Sequence, residues 1–302
     1  MNYLHFYSLA NSKITTDFKF FKAKKLFNME NSNYNLIFIC GNKVLSKNND
    51  PFFFNTKKIP NKIMNFSLSY IGNINNNLYI LCTIKEDQIK KIDYFKNCSL
   101  LNIRNTIFSL EKKYASLLSA SYSLDRWHSN NRFCGSCGSK TVHTENGNAL
   151  VCSSKSCKKK IFPSLNPTII VNITCQNHIL LARNIGWKNL LYSCLAGFCE
   201  QNESAEEAVQ REIYEEVGLE LIKINYKFSQ YWPFSSNLML GFQAEVLPNK
   251  KKLNINKNEL HTAKWFTSDE IISLVNKKKL ILPRKESIAY ALIYQWMKKK
   301  IM

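Results

Sequence analysis

The sequence predicts an α+β protein in three parts, and three observations carry that expectation. Short apolar runs alternate with Asn/Lys/Gly turns through the first 125 residues, two cysteine pairs follow, and from Pro167 the pattern reads strand, strand, acidic helix, strands, helix. The expected parts are a β-rich N-terminal domain over 1–125, a small cysteine module over 126–163, and an α/β domain over 164–302. At 302 residues, 45% hydrophobic and 13% aromatic, the chain has ample material for more than one core.

In the first part, Leu36 to Ile39, Leu68 to Ile71 and Leu78 to Leu81 are strand-length apolar runs. Gly72 and the Asn-rich stretch Asn73 to Asn77 separate the last two, which predicts a hairpin. A single helix is expected over roughly Ile103 to Trp127. Nothing in this part has the spacing of a ligand set or a catalytic cluster.

In the second part, Cys134-Gly135-Ser136-Cys137 is followed by Cys152 and, after four residues, Cys157. Two such knuckles suit tetrahedral thiolate coordination of Zn²⁺. Four cysteine ligands close the coordination sphere, so this zinc is expected to be structural. The other six cysteines, Cys40, Cys82, Cys98, Cys175, Cys194 and Cys199, show no pairing logic and are expected to be buried or half-buried.

In the third part, Thr168 to Ile173 and Ile179 to Ala182 read as a hairpin. Ser204 to Val217 reads as a helix, opened by a capping box between Ser204 and Glu207 and closed by Gly218. Phe228 to Val246 and Thr262 to Phe266 look extended. Ser287 to Lys299 reads as a terminal helix that buries Ile288, Ala291, Leu292 and Trp296.

The charge is unevenly spread. There are 42 Lys+Arg against 22 Asp+Glu, a formal net charge of +20. That balance admits a polyanion partner, but the 36 lysines, 6 arginines and 36 asparagines equally fit AT-rich coding. Against it, Glu200 to Glu220 holds eight glutamates and only Arg211, a local charge of −7. Glu212, Glu215 and Glu216 fall at i, i+3 and i+4, so their carboxylates share one helix face. Like charges there repel unless cations neutralise them, and an all-oxygen set favours Mg²⁺ or Mn²⁺. Arg211, four residues before Glu215, is placed to orient a carboxylate. Gly197 is expected to let backbone approach a metal or phosphate closely.

These residues have a known spacing. Gly197, Glu203 and the run Arg211-Glu212-Ile213-Tyr214-Glu215-Glu216-Val217-Gly218-Leu219 match the Nudix hydrolase box without a departure. Trp127-His128, Phe133-Cys134-Gly135, the cysteine knuckles and Phe162-Pro163 further resemble the NADH pyrophosphatase family. So does Ser229-Gln230-Tyr231-Trp232-Pro233-Phe234-Ser235-Ser236-Asn237, although Tyr231, Ser235 and Asn237 stand where that family has proline, proline and serine. The resemblance covers roughly residues 125–300, and the N-terminal domain matches in position and β-rich texture.

The resemblance implies a Nudix α/β/α sandwich with a mixed sheet, a Nudix-like N-terminal domain and a zinc ribbon. It implies metal-dependent hydrolysis of the pyrophosphate of NAD(H) to AMP and nicotinamide mononucleotide. Glu212, Glu215 and Glu216 would hold Mg²⁺ or Mn²⁺, with Glu259 a further metal ligand or base. Phe198 and Phe162 would stack on the nucleotide, although aromatics in such positions also serve as core. Gln230, Trp232 and the backbone at Ala289 are further carried-over contacts. Phe162 stands where tyrosine is usual, and Ser164 where arginine is usual. The implied assembly is a homodimer. Alternatives are removal of NAD caps from RNA 5′ ends, a broader nucleoside-diphosphate-linked hydrolase, and a non-catalytic nucleic-acid-binding module. With no apolar run of membrane-spanning length and no leader pattern, a cytoplasmic location is expected.

Overall fold

The computed structural model describes residues 34–301 except 53, 56–66, 76, 188 and 189. The chain divides into two compact units that meet in sequence at Ser164 and Leu165.

The first unit carries strands β1 (Tyr34–Cys40), β2 (Lys43–Ser46), β3 (Phe54–Asn55), β4 (Leu68–Ile74) and β5 (Asn77–Thr83). A short helix α1 (Glu86–Lys90), strand β6 (Ser99–Asn102) and helices α2 (Ile103–Ser109) and α3 (Lys112–Asn130) follow. The expected hairpin is β4–β5, which turns at Asn75 in the left-handed region. The strands order as β4-β5-β1-β2-β6, with β3 also on β1 and the β1–β5 pair parallel. Phe38, Phe54 and Phe95 meet edge to face at 5.1–5.7 Å in the core under this sheet. The single helix expected over 103–127 is a correction: it is two helices. Leu110 and Glu111 take extended ψ angles of 156° and 147°, which end α2 and begin α3.

The same unit holds the cysteine module, a three-stranded ribbon of β7 (Thr141–Thr144), β8 (Ala149–Cys152) and β9 (Lys160–Ile161). It is anchored to the β4–β5 sheet and to α3. Asn148 donates to the Tyr70 carbonyl at 2.9 Å, and the His128 imidazole bonds the Gly147 carbonyl at 2.7 Å. Gly147 has φ +86° and packs so closely on Ser69 that a Cβ there would fall 2.0 Å from its Oγ.

The second unit contains β10 (Asn166–Cys175), β11 (His178–Asn184), β12 (Leu195–Phe198), α4 (Ala205–Val217), β13 (Lys223–Trp232), β14 (Asn237–Glu245), β15 (Leu260–Phe266), α5 (Ser268–Asn276) and α6 (Ile288–Ile301). Its mixed sheet runs β13-β14-β10-β11-β15, with β12 on β10 and the β10–β14 pair parallel. Strand alternation sends Ile169, Val171 and Ile173 to one face, where Val209, Ile213 and Val217 of α4 cover them. Ile170 faces the other way, among Ile288, Leu292, Ile293 and Trp296 of α6 and Ile271 of α5. Helices thus cover both faces of an α+β sandwich. No helix among the described residues is long and apolar enough to cross a membrane.

The two large sheets repeat one connection scheme. Strands β1, β2, β3, β4, β5 and β6 pair as β10, β11, β12, β13, β14 and β15 do, including the single parallel pair. What differs is the interval that carries chemistry. Between β12 and β13 lie 24 residues, enough for α4 and its carboxylates, whereas the 12 residues 56–67 between β3 and β4 include three lysines and no acid.

Candidate active site

Helix α4 starts and stops where its caps dictate. The Ser204 hydroxyl accepts from the Glu207 amide at 3.2 Å and the Glu207 carboxylate accepts from the Ser204 amide at 2.7 Å. Gly218 closes the helix at φ +68°. With Val209, Ile213 and Val217 turned to the sheet, Glu212, Glu215 and Glu216 fall on a neighbouring face.

Arg211 organises that face. Its Nε and Nη2 grip Glu203 at 3.1 and 2.6 Å, a bidentate pair. Nη1 reaches Glu212 at 3.0 Å and Glu215 at 3.2 Å, and Nη2 also donates to the Phe198 carbonyl at 2.9 Å. One guanidinium therefore ties β12, the turn before α4 and two carboxylates of the helix. It holds Glu203 below the ordinary carboxylate range, while burial raises Glu212. Gly197 has a role different from the expected close approach to metal or phosphate. The Glu212 carboxylate lies across it, so a Cβ at Gly197 would sit 2.0 Å from Glu212 Cδ.

Glu216 is only 6% exposed, and its Oε2 has no hydrogen-bond partner. Burial, then the charges of Glu212, Glu259 and Glu215, push its carboxyl up to about 8. Glu259 immediately precedes β15 and is exposed. Asn256 connects it to the helix: its amide N–H donates to the Glu216 carbonyl at 2.9 Å and its Nδ2 to Glu259 Oε1 at 2.9 Å. A buried carboxylate with an orphaned oxygen, within electrostatic reach of three more carboxylates, suits a hard divalent cation in its chemistry, although among the described residues only the ribbon cysteines already hold their ligand atoms close enough to share one ion.

The other carried-over positions fall differently. Phe198 and Phe162 are each 56% exposed, so neither is a core aromatic. Phe198 is next to Gly197 on β12, and Phe162 belongs to the unit with the ribbon. Trp232 is half-buried and meets Phe234 edge to face at 5.2 Å. Ala289 is buried in the first turn of α6. Gln230, expected as a substrate contact, also serves the fold. Its Nε2 donates to the Glu286 carbonyl at 2.7 Å and its Oε1 accepts from the Ile288 amide at 2.8 Å, which holds the start of α6. Asn166 ties the turn after β13: it donates its amide to the Ser236 carbonyl at 3.0 Å and its side-chain amide to the Ser235 carbonyl at 3.4 Å.

The second candidate metal centre lies in the ribbon. The sulfurs of Cys134, Cys137, Cys152 and Cys157 all lie within 4.8 Å of one another, with Cys137–Cys152 at 3.4 Å and Cys134–Cys157 at 3.9 Å. A tetrahedron with Zn–S bonds of about 2.3 Å has edges of about 3.8 Å, so these four fit zinc. Backbone amides of Ser136 and Cys137 point at the Cys134 sulfur and, with burial opposing them, hold that thiol below its ordinary value.

Comparison with known proteins matches both stretches of the chain. The NUDIX domain model matches residues 165–290, and the NADH pyrophosphatase zinc ribbon domain model matches residues 129–162. The NAD-capped RNA hydrolase NudC of Pseudomonas syringae is 34% identical over 204 residues, covering 67% of this chain and 68% of its own. The chain belongs to the Nudix family. Within it, the human mitochondrial NAD(P)H pyrophosphatase NUDT13 is 36% identical over 214 residues, or 67% of this chain. The human NAD-capped RNA hydrolase NUDT12 is 30% identical over 215 residues, with 46% of its length covered. The chain spans 60% of the length of human NUDT13.

In Nudix terms, α4 is the helix of the box, and the sequence placed its glutamates and Arg211 together. It did not reveal Asn256, whose role depends on the loop before β15 folding back onto the end of α4. Nor did it reveal Glu203 as the anchor of Arg211, although the i, i+8 interval across a helix start was the available signal.

Proposed function

We propose that the protein hydrolyses the pyrophosphate of NAD(H) to AMP and nicotinamide mononucleotide. The observation that carries this reading is Glu216, buried with an orphaned oxygen among Glu212, Glu215 and Glu259. Glu212, Glu215 and Glu216 hold Mg²⁺ or Mn²⁺, and Glu259 is either a further ligand or the base. A divalent ion held there would neutralise the pyrophosphate, acidify the attacking water and stabilise charge on phosphorus. Arg211 keeps Glu212 and Glu215 fixed and is itself saturated by carboxylates and a carbonyl, so it orients the ligand set and does not bind phosphate. In the base role, exposed Glu259, steered by Asn256, takes the proton of the attacking water. The water oxygen joins one phosphorus, the bridging P–O bond breaks, and two monophosphates leave. Phe198 and Phe162 offer faces for base stacking, and Trp232, at the end of β13, adds a further contact. Gln230 positions the α6 start, where the backbone at Ala289 meets the substrate.

Zn²⁺ in the ribbon is structural, the chain works as a homodimer, and its location is cytoplasmic. The names of NudC and NUDT12 favour NAD-capped RNA as a second substrate. The deciding experiment measures products from NADH, NAD⁺, NAD-capped RNA, ADP-ribose and nucleoside triphosphates with Mg²⁺ or Mn²⁺, beside Glu216→Gln. Selective dinucleotide cleavage lost in the variant supports the reading. No turnover by wild type sinks it, and equal rates on every substrate would favour a general nucleotide hydrolase.

A further inference from the structure

The C-terminal end of α4 leaves carbonyls that the helix itself cannot satisfy, and the loop before β15 satisfies two of them. The Asn254 amide donates to the Val217 carbonyl and the Asn256 amide to the Glu216 carbonyl, each at 2.9 Å. Gly218 permits the approach, since a Cβ there would fall 2.8 Å from Asn254 Cβ. The same loop carries Glu259, whose main chain is held from both sides. Its amide donates to the Asn256 carbonyl at 3.3 Å, and its carbonyl accepts from the Ile185 amide, just after β11, at 3.1 Å. The exposed side chain of Glu259 is fixed by Asn256, whose Nδ2 donates to Oε1 at 2.9 Å. Asn256 Oδ1 meanwhile accepts from the Asn258 amide at 3.1 Å, an Asx turn that orients the side-chain amide.

We propose that Asn256 is a positioning residue for the hydrolysis: its side-chain amide fixes Glu259 relative to buried Glu216 and leaves Oε2 to act at the metal or the attacking water. This role rests on the hydrolase reading above and deepens it, because the tie between the two carboxylates becomes a requirement of the reaction and not only of the loop. The bonding pattern separates it from plain turn formation. An Asx turn uses Oδ1 alone, so aspartate and asparagine serve it equally. The bond to Glu259 needs an N–H donor, which only the amide has. A carboxylate in its place would repel Glu259.

The test uses the full chain and compares Asn256→Asp, Asn256→Ala, Glu259→Gln and the double variant Asn256→Ala with Glu259→Gln. Asn256→Asp keeps the acceptor for the Asn258 amide and sets a negative charge against Glu259. It should lower kcat on NADH about 100-fold, the scale of a misplacement of about 1 Å, with KM and thermal melting close to wild type. Asn256→Ala, which loses the turn as well, should be no worse in kcat. In the double variant kcat should equal that of Glu259→Gln alone, because the role is exercised through that carboxylate. Mn²⁺ titration followed by electron paramagnetic resonance needs no substrate. Asn256→Ala should weaken Mn²⁺ binding about threefold or more in the otherwise wild-type chain and leave it unchanged beside Glu259→Gln. The proposal is overturned by wild-type kcat in Asn256→Asp, by a further loss of kcat in the double variant, or by an effect on Mn²⁺ affinity that is absent in the first background or equal in both. Failure of wild type to cleave any dinucleotide or cap would remove the hydrolase reading, and the Mn²⁺ comparison would still decide whether Asn256 acts through Glu259.

Discussion

Gly197 and Glu212 occupy one space: a Cβ on the glycine would fall 2.0 Å from the carboxyl carbon of the glutamate. Gly197 is not in the left-handed region, so alanine meets no backbone strain there. What must yield is the far end of a flexible side chain. Gly197→Ala should therefore fold with nearly unchanged stability and displace the Glu212 carboxylate from Arg211. Activity should fall about 100-fold, the scale of a misplacement of about 1 Å. Thermal melting read beside kcat and Mn²⁺ affinity checks this; a variant of full activity would show that Glu212 is not needed in that position.

Arg211 should resist replacement by lysine. Its guanidinium serves Glu203 in a bidentate pair while also reaching Glu212, Glu215 and the Phe198 carbonyl. An ammonium supplies a point charge with three donors and no planar fork. Arg211→Lys is expected to lower kcat/KM about 100-fold and weaken divalent-ion binding, recovering little of what Arg211→Ala loses. Titration of Mn²⁺ with both variants measures it. Near-normal metal affinity in the lysine variant would show that charge alone suffices.

The ribbon should depend on its metal for structure and only indirectly for turnover. Cys152 is buried, and its sulfur lies 3.4 Å from that of Cys137. Cys152→Ser should lose the bound zinc, about one per chain in the wild type, and open the ribbon. Metal analysis, with proteolysis mapped to residues 132–162, reads both effects. Retained zinc or a protected ribbon would contradict the four-cysteine assignment.

Much of the site was legible because local rules fix it. Ser204, Glu207 and Gly218 set the ends of α4, and the i, i+3, i+4 spacing puts its glutamates together whatever surrounds them. The hairpin from Thr168 and the hairpin at Asn75 follow in the same way. What escaped were relations made by tertiary packing. Gly197 reads as a glycine near a phosphate until Glu212 is seen across it. Gln230 sits in a motif that suggests a ligand contact, yet both ends of its amide belong to the backbone at α6. The break at Leu110 and Glu111 carries neither glycine nor proline, so nothing local announces it. The N-terminal sheet repeats the catalytic one in strand order, which composition cannot reveal.

Two buried groups beside the N-terminal sheet should give the protein a pH response that one substitution exposes. Asp125 is 2% exposed and held by Thr83 Oγ1 at 2.5 Å; burial, against that hydrogen bond and Arg126, lifts its carboxyl from 3.8 to about 6. Its contribution to stability is present below pH 3.8 and is lost as pH rises through 6, a cost on the order of 3 kcal/mol at neutral pH. His128 runs the other way. Burial and stacked His143, 4.0 Å away between ring centres, lower it from 6.5 to about 4 against the Gly147 hydrogen bond. Its contribution is present above pH 6.5 and is lost as pH falls through 4. The two slopes oppose each other between pH 4 and 6, so their summed contribution should be nearly flat there. Asp125→Asn keeps the shape and an acceptor for Thr83 while removing the charge. It should raise the melting temperature at pH 8, with an advantage over wild type that shrinks as pH falls through 6 and vanishes below about 4. Denaturant titrations at pH 4, 5, 6 and 8 measure both effects. An asparagine variant no more stable than wild type at pH 8 would mean that Asp125 is not carrying a buried charge.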